Sequence, residues 1–282
     1  MSKFINPFTD VGFKRIFGQE PSKPVLIAFL NALLEGERTI VDLKFLDKEQ
    51  LGIYDGARSL IYDVYCLTDN GEHIIVEMQN KYQSYFKERS IYYTARSIIE
   101  QGERGSEWRY DLTAVYFVAF LNFKISDISY AFRTDVALMD MAHHTVFSDK
   151  VRLIYLQLPF FTKDVDECET IFDKFIYILN NMEILQRMPW MAQNAVFKYL
   201  SDIADVSSLD KEERVKYDAN LKAYRDTLAV MDGQYQEGRA EGRAEGRAEE
   251  RINIAKQMMQ TGMPVDEIAR FTSLTPEQIA AL

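Results

Sequence analysis

Asp63-Val64-Tyr65-Cys66-Leu67-Thr68-Asp69-Asn70-Gly71-Glu72-His73-Ile74-Ile75-Val76-Glu77-Met78-Gln79 reads as two β-rich runs joined by a turn. β-Branched and aromatic side chains suit a pleated strand, and Thr68-Asp69-Asn70-Gly71-Glu72 is a strong hairpin signal. Two registers are open. A two-residue Asn70-Gly71 loop sets Asp63 opposite Met78 and puts Glu77 on the other face. A three-residue loop, Asp69-Asn70-Gly71 with Gly71 in the left-handed region, sets Asp63 opposite Glu77, and Gln79 then shares their face. Cross-strand neighbours have Cβ atoms about 5 Å apart, which lets two carboxylates chelate one hard cation such as Mg²⁺. Val64, Tyr65, Cys66, Ile74, Ile75 and Val76 make both strands apolar on both faces. Unpaired like charges are costly in such surroundings, and a metal ion is the simplest way to hold them.

Working outward, residues 25–34 carry apolar side chains at Leu26, Phe29, Leu30, Leu33 and Leu34, the pattern of a helix with one buried face. Pro24 falls in its first turn and Gly36 just past its end. Residues 39–46 and 59–67 read as strands, the second forming the first arm of the hairpin. Residues 84–102 read as a helix capped by Ser84, with Ile91, Ala95 and Ile98 on one face. On another stripe of that helix Tyr85, Arg89, Tyr92 and Arg96 form a surface suited to gripping phosphates and stacking bases. Aromatic packing with snorkelling arginines is the plainer alternative. Residues 112–123 and 151–158, the latter stopped by Pro159, read as strands covered on both faces. Residues 164–179, 190–200 and 209–231 look helical, so strands give way to a helical second half of an α/β chain.

The tail differs in kind. Glu237-Gly238-Arg239-Ala240 recurs at 241–244 and 245–248. On a helix this repeat sets Glu four from Glu and Arg four from Arg, without oppositely charged pairs. Each glycine costs roughly 1 kcal/mol relative to alanine. The segment is therefore either a flexible connector or a helix stabilised by close packing. Residues 252–282 read as three short helices broken at Gly262-Met263-Pro264 and at Ser273-Leu274-Thr275-Pro276, with Thr275 and Gln278 spaced as a capping box. Lys256 and Arg270 are their only basic residues, which favours oligomerisation or partner docking over a helix-turn-helix that reads DNA. The expected layout is a main domain at 1–232, a connector helix at 233–251 and a small helical module at 252–282.

With 282 residues, 47% of them hydrophobic, the chain can bury one large core and still carry small appendages. A net charge of −10 argues against non-specific coating of nucleic acid, though not against a local basic groove. No apolar run approaches a membrane span and no leader pattern opens the chain, so a cytoplasmic protein is expected. Cys66 and Cys168, far apart and without close spacing, are expected as thiols. His73, His143 and His144 are too few and badly spaced for a zinc cage.

A helix with an early Asp, a hairpin with Asp on its first strand and Glu-x-Gln on its second, then a helix and a strand, resembles the PD-(D/E)XK nuclease superfamily. More closely, Asn6-Pro7-Phe8-Thr9-Asp10-Val11-Gly12-Phe13-Lys14-Arg15-Ile16-Phe17-Gly18, Tyr62-Asp63-Val64, Val76-Glu77-Met78-Gln79, and Arg89 with Tyr92 and Tyr93 resemble the recombination-promoting nuclease / putative transposase family. The likeness implies a restriction-endonuclease-like core, a mixed central sheet flanked by helices. It also implies endonucleolytic cleavage of DNA with Mg²⁺ or Mn²⁺. Asp63 and Glu77 would hold the metal, with the Met78 carbonyl as a third ligand and Asp10 as an outer ligand or orienting group. The ordinary role for Asp10 is to cap a helix beginning near Val11. Gln79 stands where the superfamily usually has lysine. It can position water or donate to phosphate, but it brings no charge. Lys81 could supply that charge if the strand continues. DNA is the implied partner, with self-association through the tail. A degenerate nuclease fold serving as a nucleic-acid or protein interaction module is the competing reading.

Overall fold

The computed structural model describes residues 2–50, 59–103, 107–125 and 131–282. The chain divides into two compact units, Met1–Leu221 and Lys222–Leu282. The first opens with helices α1 (Asp10–Phe17) and α2 (Lys23–Leu33), followed by strands β1 (Leu43–Phe45), β2 (Glu49–Gln50), β3 (Leu60–Ile61), β4 (Val64–Thr68) and β5 (His73–Gln79). Helix α3 (Phe86–Ile99), strands β6 (Val115–Leu121), β7 (Arg133–Asp140) and β8 (Thr145–Gln157), and helices α4 (Ile171–Asn181) and α5 (Ala195–Ala204) complete its regular elements up to α6 (Lys211–Gln260).

Among the described residues, six strands form one mixed sheet in the order β1-β4-β5-β6-β8-β7. The β5, β6 and β8 strands run parallel, and antiparallel pairs flank them. All seven residues of β6 are buried, as expected for a central strand covered on both faces. Even-numbered residues such as Val64, Val76, Val118 and Phe120 pack with α1, α2, α4 and α5 in the larger core. Odd-numbered residues such as Tyr65, Ile75, Phe117 and Tyr155 belong to a second core that includes Phe86 of α3.

Local chemistry accounts for most boundaries. Thr9 caps α1, its Oγ accepting from the Gly12 amide at 3.0 Å. Pro24 sits in the first turn of α2, where its missing N–H costs nothing. The expected strand at 39–46 shrinks to β1. The expected strand at 59–67 is two strands, because the ladder breaks at Tyr62 and Asp63. Helix α3 begins at Phe86 without a side-chain cap, so Ser84 does not cap it. Nor is its expected apolar stripe the buried one. Ser90, Thr94 and Ser97 face inward while Ile91 is 60% exposed, because the sheet beneath presents tyrosine hydroxyls that serines can meet.

Strand β7 escapes sequence reading. Among the described residues it pairs only with β8, and it is half exposed, so it shows no run of buried residues. The adjacent His143 and His144 lie exposed in the turn joining these strands. Cys66 and Cys168 are free and buried.

The α6 helix runs 50 residues, straight through the four-residue repeat. A Cβ added at Gly238, Gly242 or Gly246 would meet nothing within 4 Å. In the second unit, the end of α6 packs with α7 (Val265–Thr272) and α8 (Pro276–Ala280) around Ala255, Ile268 and Ile279. The breaks fall where glycine, proline and the Thr275–Gln278 capping box place them. Among the described residues, no helix is long and apolar enough to cross a membrane.

Candidate metal centre

The site begins with a turn. Gly71 adopts φ +77°, its N–H donates to the Thr68 carbonyl at 2.9 Å, and the Thr68 N–H donates to the Glu72 carbonyl at 2.9 Å. This three-residue loop selects the register that pairs Val64 with Val76 and Tyr65 with Ile75. Extended by one residue, the same register sets Asp63 against Glu77.

Asp63 itself lies just before β4, in a bulge. Phe45 pairs with Cys66 and Glu49 with Ile61, so three residues, 46–48, span the same distance as four, 62–65. Extra residues of this kind bend a strand and re-aim a side chain. Side chains here replace the ladder. The Asp63 N–H donates to Glu77 Oε1 at 3.1 Å, and Asp63 Oδ2 accepts from the Met78 amide at 2.9 Å. On the far side of β5 the Gln79 carbonyl accepts from Asn122. Alternation along a strand therefore turns both the amide and the carbonyl of Met78 toward Asp63.

Glu77 is 3% exposed. Burial first, and the neighbouring Asp63 second, raise its pKa above the ordinary carboxylate range. The Asp63 carboxyl is also raised, by burial and by Asp10, against the lowering effect of the Met78 hydrogen bond. Two acids held together in a poorly solvated place repel each other, and only weak compensation is in view. Arg89 Nη2 stands 3.6 Å from Glu77 Oε2, and Gln79 Nε2 lies 3.4 Å from the same oxygen.

This all-oxygen pair matches what a hard divalent cation takes. Among the described residues no group of three His, Cys, Asp or Glu side chains forms, so a cation would rely on Asp63, Glu77, the Met78 carbonyl and water. Asn80 Oδ1 is buried without a hydrogen-bond partner, while its Nδ2 donates to the Phe8 carbonyl at 2.7 Å and ties the end of β5 to the entry of α1.

The other expected residues scatter. Asp10 is not the cap of α1, a role taken by Thr9. It is exposed and paired with Lys14 at 2.9 Å, while its charge reaches Asp63. Because β5 ends at Gln79, Lys81 lies past the strand and is exposed. Arg89 and Tyr92 share a pocket beside Glu77, whereas Arg96 pairs with Glu100 at 2.7 Å. Sequence reading missed Lys48. Half-buried, it interacts with the charges of Lys14, Asp63 and Asp10, and burial lowers its pKa. Its carbonyl accepts from the Tyr62 amide at 3.0 Å, next to Asp63. Nothing in its local spacing signals this, since the bulge that brings it near is a pairing between segments.

A family model described as "PD-(D/E)XK nuclease family transposase" matches residues 7–234. A second, "Rpn/YhgA-like nuclease family, C-terminal HTH domain", matches residues 248–282, where the scarcity of basic residues pointed instead to docking. Neither the curated proteins nor the solved structures compared include a match to this chain.

Proposed function

Because the chain belongs to the PD-(D/E)XK nuclease family transposases, we propose that it is a DNA endonuclease whose Asp63 and Glu77 hold Mg²⁺ or Mn²⁺. The observation that carries this reading is the carboxylate pair itself, Glu77 buried and Asp63 half-buried. Each acid is fixed by a hydrogen bond to the other's strand, and both have raised pKa values. The cation's contribution when bound is Lewis-acid chemistry, which activates water and screens negative charge at phosphate.

The chain's own residues do the rest. Asp63 and Glu77 set the distance between donor oxygens, and the Met78 carbonyl adds a neutral one. The amide of Gln79 can orient water or donate to a phosphate oxygen, but it neither neutralises charge nor takes a proton. Lys48 and Lys14 lie close enough to feel Asp63 or each other, and we assign them the charge that Gln79 lacks. Arg89, 3.6 Å away, steadies Glu77. The helix-turn-helix match supports DNA binding by residues 248–282, with 233–251 as the connecting helix and self-association through the tail as an added role.

A second reading, a degenerate nuclease fold acting as a binding module, draws on Gln79 and the acidic net charge. Incubating supercoiled plasmid with Mg²⁺, Mn²⁺ or EDTA separates the two. Metal-dependent nicking is expected from the wild type. It should be absent from folded Asp63→Ala and Glu77→Ala proteins, and reduced about 100-fold in Lys48→Gln. DNA binding without cleavage under any metal sinks the endonuclease reading.

A further inference from the structure

The start of α3 and the segment before it line an open pocket of about 470 Å³ that includes Arg89, the neighbour of Glu77. Tyr85, Tyr92 and Tyr93 supply its aromatic walls, with Gln83, Glu88 and Arg89 among the polar groups. Tyr93 is fixed, its ring meeting Tyr62 edge-on at 5.2 Å and its carbonyl accepting from the Tyr62 hydroxyl. Tyr85 and Tyr92 are 59% and 49% exposed, large aromatic faces left to solvent on one side of a helix. Arg89 lies over the Phe86 and Tyr93 rings at 5.0 and 5.5 Å. Its Nη1 donates to Gln83 at 2.8 Å, its Nη2 reaches toward Glu77, and its Nε is buried without a hydrogen-bond partner.

The chemistry of this lining selects a nucleobase over a phosphate. Arg89 already faces Glu77, and Glu88 adds a negative charge at the rim, so the pocket offers an anion little net attraction. Carboxylate and amide oxygens instead suit the amino and ring N–H groups of a base, while tyrosine faces accept its π surface. A base stacked inside a duplex cannot enter; an unpaired one can. Arg89 lines the pocket and its Nη2 stands 3.6 Å from Glu77 Oε2, so one side chain links the pocket to the carboxylate pair.

Resting on the nuclease reading above, we propose that this pocket binds an unpaired nucleobase flanking the scissile phosphate. The preferred substrate is accordingly single-stranded or locally unpaired DNA.

Binding in EDTA tests the pocket apart from cleavage. The full-length protein is titrated into a fluorescent single-stranded oligonucleotide, its blunt duplex, and a single strand carrying 2-aminopurine. Single-stranded DNA is expected to bind about tenfold tighter than duplex, with quenching of 2-aminopurine by stacking. Tyr85→Ala and Tyr92→Ala, both at exposed positions, should each weaken single-strand binding about tenfold and leave duplex binding alone, while Tyr92→Phe retains wild-type affinity. Equal binding of both DNA forms, unchanged affinity in the alanine variants, or unquenched 2-aminopurine overturns the inference. A pocket made for a peptide gives the second of these results. Tyrosine-dependent single-strand binding without metal-dependent nicking upholds the pocket and removes the nuclease reading alone.

Discussion

One sheet shows two different interiors. On its even-numbered face Phe120 touches Phe13, Phe17 and Phe29 with ring centroids 5.2–5.8 Å apart, and four helices seal the layer. On its odd-numbered face the Tyr65 hydroxyl meets His73 Nδ1 at 2.7 Å and Ser97 at 2.9 Å, Tyr155 meets Ser90, and the layer ends in Glu77. The first face gains stability from close-packed apolar volume. The second uses directional hydrogen bonds, which tolerate a charged residue at their border and hold it in one orientation. The candidate carboxylate pair lies on the second face, whereas an acid beside Phe120 would sit among phenylalanine rings.

The contrast breaks most visibly at Phe120. Phe120→Ala should cost about 3–5 kcal/mol, read as a lower urea midpoint, because the three rings around it are anchored on helices and collapse only in part. A loss under about 1 kcal/mol would show that the layer repacks freely.

Glu77→Gln should act in the opposite direction. The folded state raises the pKa of Glu77 above its ordinary 4.5, so above that pH the unfolded chain is ionised while the folded chain still holds a proton. Folded protein then binds more protons than unfolded, and stability falls as pH rises toward the raised value. In EDTA the variant should melt about 2–4 °C higher than wild type at neutral pH, with a flatter pH profile, and should lose any stabilisation by Mg²⁺. A lower melting temperature would mean that Arg89 and the Asp63 amide already satisfy the carboxylate.

The smallest effect belongs to Tyr65→Phe. Removing the hydroxyl between His73 and Ser97 should cost about 1–2 kcal/mol by urea unfolding without lowering nicking by the metal centre. Loss of cleavage with stability intact would instead tie this hydrogen-bond chain to the site.

Where local physics decides, the sequence was legible. The turn signal at 68–72 placed the hairpin, and of the two registers it left open the folded loop takes the one that brings Asp63 and Glu77 together. Gly262, Pro264 and the Thr275 box placed the breaks after α6. Legibility failed where a partner segment decides. The buried stripe of α3 follows the tyrosines beneath it, not its own isoleucines. Edge strand β7 carries no burial pattern.

The sequence by itself determined the hairpin and narrowed its register to two, one of which pairs Asp63 with Glu77, because turn geometry and side-chain alternation act over a few residues. Only the tertiary structure decided that Asp63 lies in a bulge, that Lys48 shares its surroundings, that Asn80 ties β5 to α1, and that tyrosines of α3 open a pocket beside Glu77. These depend on pairing between segments far apart in the chain, and no local pattern encodes the distance across such a contact.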